Sequence, residues 1–121
     1  MKKILIIEDE KILGEMYRDK FTEAGFKVVL CTEAKEGVKT AKEEKPDLIL
    51  LDILLPKENG IFFLAELKRY SDIASIPVVV FSNFDDPETR KQAKKLGAKA
   101  YLIKTSYTPK ELVQEVKKHL K

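Results

Sequence analysis

The stretch "LILLDILLP", residues 48–56, sets Asp52 behind four large apolar residues and ahead of three more before a proline. Short unbroken apolar runs form strands covered on both faces, the kind found in parallel sheets. A carboxylate left unpaired in such surroundings is costly, and it is normally protonated, paired or bound to a cation. The stretch therefore predicts a buried strand and, at its end, an acid with a partner.

Four further runs share this character: "ILII" (Ile4–Ile7), "VVLC" (Val28–Cys31), "VVVF" (Val78–Phe81) and "YLI" (Tyr101–Ile103). Helical patterns separate them. Ile12, Leu13, Met16, Tyr17 and Phe21 make one apolar stripe, stopped by Gly25. Ala34, Val38 and Ala41 make a second that ends near Pro46, and Ile61, Leu64 and Leu67 a third. Asp86 and Pro87 read as the N-cap and first turn of a fourth helix, with Gly97 past its end. Thr108, Pro109 and Glu111 open a fifth as a capping box ahead of Leu112, Val113, Val116 and Leu120. Strand alternates with helix five times. The economical solution is α/β: a doubly wound five-stranded parallel sheet with helices on both faces and right-handed crossovers.

Length and composition narrow the function classes. A chain of 121 residues is expected to be one domain, 1–121, with a core that needs no staples. No apolar run approaches a membrane span and no cleavable signal pattern opens the chain, so a soluble cytoplasmic protein is expected. The single cysteine, Cys31, ends a strand run and reads as a buried thiol. A formal charge of +3, from 23 basic and 20 acidic residues, is too weak to argue for nucleic acid.

In doubly wound sheets, ligands bind beyond the carboxyl ends of the strands. The residues that follow the runs are Glu8 and Asp9, Asp52, Ser82, and Lys104. The second run ends in Cys31-Thr32, as an edge strand outside the site would. Three carboxylates crowded at one sheet edge need protonation or a compensating cation; Lys104 offers one charge, and Mg2+ with oxygen ligands would complete the set. Carboxylate, lysine, hydroxyl and Mg2+ suit phosphoryl chemistry, with the carboxylate as nucleophile to form an aspartyl phosphate.

In their order and spacing, "ILIIEDE", "PDLILLDILLPKENG", "IPVVVFS" and "GAKAYLIK" resemble the receiver domain of bacterial two-component response regulators, of the chemotaxis-regulator kind. The resemblance covers essentially the whole chain. It implies a flavodoxin-like receiver fold with strand order 2-1-3-4-5 and a role for each polar strand end. Asp52 is implied as the phosphoacceptor, charged by a histidine kinase or phosphotransfer protein. Asp9 is implied as a direct Mg2+ ligand, joined by Asp52 and the backbone carbonyl of Leu54, with Glu8 acting through water. Ser82 would bond the phosphoryl group, Lys104 would pair with it, and Tyr101 would be the aromatic switch that follows Ser82. Pro56 and Gly60 would shape the loop after the phosphorylated strand. The implied function is a phosphorylation-activated switch that controls binding of a downstream protein, with no independent enzymatic substrate. No direct nucleic-acid or membrane binding is implied, and the chain is expected as a monomer or weak dimer without an output domain.

The match is not complete. Thr105 stands where the family has a proline, often cis, after the lysine, and the loop that follows is one residue longer. Asn83 follows Ser82 where a small residue is common, with Phe84 next, so both are expected to influence access of water to the phosphoryl group. Lys99 and Ala100 replace the acidic pair that many DNA-binding members use to dimerise. Arg90, Lys91, Lys94 and Lys95 make the fourth helix either a solvated basic face or a docking surface for an acidic partner, and His119 is expected to be exposed and inert.

Three other functions compete for the same residues. A haloacid-dehalogenase-like phosphatase would need a second acid two residues after its nucleophile, where this chain has Leu54. A flavodoxin-type carrier would need a Gly-, Ser- or Thr-rich first loop, where this chain has "EDEKIL". A docking module that is never phosphorylated is the third alternative.

Overall fold

Each apolar run folds as a strand, and each stripe between runs as a helix. The structure, a computed structural model, describes residues 1–55 and 59–120. In chain order the elements are β1 (Lys3–Ile7), α1 (Lys11–Glu23), β2 (Lys27–Cys31), α2 (Ala34–Glu44) and β3 (Leu48–Leu51). They continue with α3 (Gly60–Lys68), β4 (Val78–Ser82), α4 (Pro87–Lys95), β5 (Ala100–Ile103) and α5 (Pro109–Lys117). A single 3-10 turn, Lys104–Ser106, links β5 to α5. Among the described residues no helix is long and apolar enough to cross a membrane.

All strands pair in parallel, in the order β2-β1-β3-β4-β5. Alternate residues of each strand feed cores on opposite faces, which is why the runs are unbroken rather than alternating. Leu5, Ile7, Ile49, Leu51, Val78 and Val80 face Ala41, Phe63, Leu64 and Ala93 of α2, α3 and α4. Ile4, Ile6, Leu48, Leu50, Val79 and Phe81 face Tyr17, Phe21, Leu112 and Val116 of α1 and α5. β2 and β5, at the edges, are less buried than β1, β3 and β4. Cys31 is buried at the end of β2, with its thiol 3.3 Å from Thr40 Oγ1.

The expected stops and caps form. Gly25 and Gly97 follow their helices at φ 95°, a conformation that side chains disfavour. Asp86 accepts from Thr89 N at 2.9 Å, and Thr108 with Glu111 closes a reciprocal capping box. Ile12 departs from expectation. It is 86% exposed, because α1 buries the face of Gly14, Tyr17 and Phe21, and Ile12 lies on the far side of the helix from Gly14. His119 is half-buried rather than exposed.

Gly60 shapes the loop for a steric reason. A Cβ there would lie 2.6 Å from the Asp52 carbonyl oxygen and 2.8 Å from Ile53 Cα. Gly60 N donates to Ile53 O at 2.9 Å, so the first residue of α3 rests directly on the backbone that leaves β3. The expected loop-shaping Pro56 lies outside the described residues. Gly60→Ala is expected to push α3 off this seat at a cost of about 2 kcal/mol, read as a lower urea midpoint at unchanged m-value.

Candidate functional site

In the observed strand order, the crossovers leaving β1 and β3 turn to opposite faces and open a crevice at the carboxyl ends of these neighbours. Register decides what meets there. Ile7 pairs with Leu51, so Glu8 and Asp52 leave adjacent strands side by side, and Asp52 N donates to Ile7 O at 3.1 Å. Ser82 pairs with Ile103, which brings Lys104 off β5 one residue beyond it.

Lys104 ties the crevice together. Its Nζ donates to Glu8 Oε1 at 2.5 Å and to Asp52 Oδ2 at 2.8 Å. All three groups are buried, the lysine side chain being 9% exposed. Backbone amides add to the fork: Leu54 N donates to Asp52 Oδ1 at 3.1 Å, and Glu10 N to Glu8 Oε2 at 3.2 Å. Lys104 reaches Asp52 although Thr105 replaces proline, and no cis peptide bond occurs among the described residues. Glu8 is also a direct partner of the lysine.

Carboxylate oxygens of Glu8, Asp9 and Asp52 lie within 4.8 Å of one another. With all three ionised, a single lysine leaves two negative charges uncompensated. Burial pushes the Glu8 carboxyl up from its ordinary value, opposed by its hydrogen bond and charge interaction with Lys104. Burial also works against the Lys104 ammonium, but hydrogen bonds and charge interactions with Asp52 and Glu8 together outweigh it and raise that group. Both shifts favour protonated forms. The stability they contribute fades as pH rises, for Glu8 from the ordinary carboxylate value upward and for Lys104 above the ordinary lysine value. The other way to relieve this charge is a cation. Three hard oxygen donors this close together fit Mg2+, which usually takes one or two protein carboxylates and keeps several waters.

A second arrangement leads away from the crevice. Ser82 is fully buried, and its Oγ accepts from Phe84 N at 3.2 Å. The carbonyl of the same residue accepts from the Tyr101 hydroxyl at 2.5 Å. The half-buried Tyr101 ring lies 5.1 Å from the Arg90 guanidinium, and Arg90 pairs with Asp85 at 2.9 Å. Asn83 side-chain Oδ1 accepts from Thr105 N at 3.2 Å, bridging the β4–α4 loop to the 3-10 turn that Lys104 begins. Sequence reasoning singled out Asn83 by position but could not foresee this bridge, because its partner is a backbone amide 22 residues away.

Residues 4–117 match the response regulator receiver domain model. The phosphate regulon transcriptional regulatory protein PhoB of Escherichia coli is 38% identical over 116 residues, covering 96% of this chain and 50% of PhoB. The chain spans about half the length of the curated relatives it matches. Among solved structures, chemotaxis protein CheY4 of Vibrio cholerae superposes with a TM-score of 0.92 at 23% identity over 99% of both chains, a likeness of fold. The Mn2+-bound form of response regulator Rcp1 superposes with a TM-score of 0.80 at 28% identity, over 98% of this chain and 91% of Rcp1.

Removing the lysine tests the charge balance of the crevice. Lys104→Met leaves buried carboxylates without their cation and is expected to cost about 3 kcal/mol in chelator. Mg2+ should then raise the unfolding midpoint of the variant more than that of the parent. Urea unfolding of both proteins with and without Mg2+ checks this; an equal response would contradict it.

Proposed function

Because this chain belongs to the response regulator receiver domain family, we propose that it is a phosphorylation-controlled signalling switch whose phosphoacceptor is Asp52. The observation that carries the reading is the buried fork in which Lys104 holds Asp52 and Glu8 beside Asp9. The donor is a phosphohistidine on a histidine kinase or phosphotransfer protein. A carboxylate oxygen of Asp52 attacks phosphorus, the P–N bond breaks, and its electron pair returns to the imidazole. Lys104 keeps an ammonium beside the incoming phosphoryl oxygens and exchanges its bond to Asp52 for one to them. Ser82, whose Oγ accepts from Phe84 N–H, retains its own hydrogen to donate to the phosphoryl group.

Asp9, Asp52, the Leu54 carbonyl and, through water, Glu8 would hold Mg2+, whose chemistry when bound is to neutralise charge on the phosphoryl oxygens. The Mn2+ bound by Rcp1 supports a divalent ion in a fold of this kind. Movement of Ser82 toward the phosphoryl group would draw on the Phe84 peptide and through it on Tyr101, shifting a two-state equilibrium.

The output is binding of a downstream protein, with no independent substrate turned over. A groove of about 400 Å³ beside Tyr101, lined by Arg90, Lys91, Lys94 and Lys99, favours an acidic partner. The same lysine at position 99, with Ala100, disfavours the acidic-pair dimer, in keeping with a monomer or weak dimer. The domain, 1–121, would work in the cytoplasm and bind neither nucleic acid nor membrane itself.

Intact-mass spectrometry after incubation with acetyl phosphate tests the chemistry. One phosphoryl adduct is expected in Mg2+, none in chelator and none in Asp52→Asn; an adduct that survives the substitution would move the acceptor elsewhere. Asn83→Ala is expected to free the loop over the site and speed loss of the adduct by a factor of about five, roughly one hydrogen bond's worth. The decay of the adduct followed by the same measurement checks it, and equal rates would remove Asn83 from the account.

A further inference from the structure

On the sheet face away from α1 and α5, helices α2 and α3 leave a groove of about 440 Å³ between them. None of the groups assigned to phosphoryl transfer or to the Tyr101 switch lines it. One wall carries Lys35, Lys39 and Lys42, spaced so that they share one helix face. The facing wall carries Phe62, Glu66 and Tyr70.

The charge in the groove is largely unmatched. Among the described residues Glu66 is the single acid lining it, and Arg69 already takes that carboxylate at 2.8 Å. Lys42 sits over the Tyr70 ring, 3.5 Å from its centroid. Lys39 meets Glu43 only at 3.9 Å with its side chain 82% exposed, an arrangement worth little. Among the described residues no ion pair engages Lys35.

The apolar part of the groove is equally unpartnered. Helix α3 buries Gly60, Phe63, Leu64 and Leu67, and that stripe is complete without Phe62. Phe62 lies off it, where a surface helix normally carries a polar residue, and is 59% exposed. An exposed aromatic that three lysines overlook is the composition of a binding surface: the ring supplies an anchor, and the cations select the charge around it.

We propose that the α2–α3 groove is a docking surface for a protein segment with acidic residues flanking an aromatic or large aliphatic anchor. The anchor packs on Phe62 and Tyr70 while the acids meet Lys35, Lys39 and Lys42. This surface is separate from the Tyr101 groove, so a partner held here can stay bound whichever state the switch adopts.

Selection of a random phage-displayed peptide library on the immobilised protein tests the assignment, with counter-selection on a Lys35→Glu, Lys39→Glu variant. The enriched peptides should carry acids around one aromatic or aliphatic residue. A labelled representative, followed by fluorescence anisotropy, should bind the parent and lose affinity about tenfold or more in that variant and in Phe62→Ser. It should bind a Lys91→Glu, Lys94→Glu variant as it binds the parent. Circular dichroism and urea midpoints establish that each variant is folded. Failure to enrich, enrichment of basic peptides, or binding that survives both groove variants would overturn the proposal. So would loss of binding that follows the α4 variant, which would assign the acidic segment to the Tyr101 groove. Sedimentation showing self-association that Phe62→Ser abolishes would make the groove a contact between copies of this chain instead.

Discussion

Lys104 and the two carboxylates it joins set the terms for the rest of this molecule. A lysine held by two buried acids is favourable only if all three groups keep their geometry, since any one of them left alone would be a charge out of reach of water. That geometry is a property of the sheet. Glu8 and Asp52 are neighbours because β1 and β3 pair in register, and Lys104 arrives from the far edge strand across the width of β4. A slip of one residue in either pairing would turn the ends of the strands to the wrong faces. The two cores that hold the sheet in register thus also position its charges, and the charges in turn penalise any sheet that slips.

Much of this was legible in the chain, and for identifiable reasons. The five runs declare themselves because strands covered on both faces have no polar alternation to blur them. The polar residues after the runs declare the crevice because parallel strands all end on one edge. What could not be read depends on contacts between distant segments. Ile12 fits a helical stripe by spacing alone, and only the packing of Tyr17 and Phe21 decides which side of α1 is covered. Gly60 is recognisable as a loop-shaping residue, yet its reason, the closeness of the Asp52 carbonyl, exists only once α3 is seated. Glu8 was legible as an acid of the site, but its direct bond to Lys104 joins residues 96 apart.

The surface divides by chemistry in a way the cores do not. The crevice is acidic, with one lysine sunk in it; the grooves at α2–α3 and α4–β5 are basic, each with an aromatic ring in its wall. The mild net charge of the whole chain conceals this separation. On the proposed reading, a phosphorylated donor would approach an acidic rim that needs a cation to accept it, whereas acidic protein segments would be drawn to the basic grooves. Segregation of this kind would let one small domain meet unlike partners without their competing for the same ground.

Ser82 and Tyr101 are joined through a single amide unit, the hydroxyl of one held by the N–H of Phe84 and the hydroxyl of the other by its carbonyl. Neither bond involves the phenylalanine ring. A connection carried by main-chain atoms is indifferent to the identity of the side chain, so neither hydrogen bond requires a phenylalanine at position 84. Proline is the exception, because it has no N–H to offer Ser82. The residue most central to the link is therefore the one whose importance a comparison of side chains would be least able to reveal.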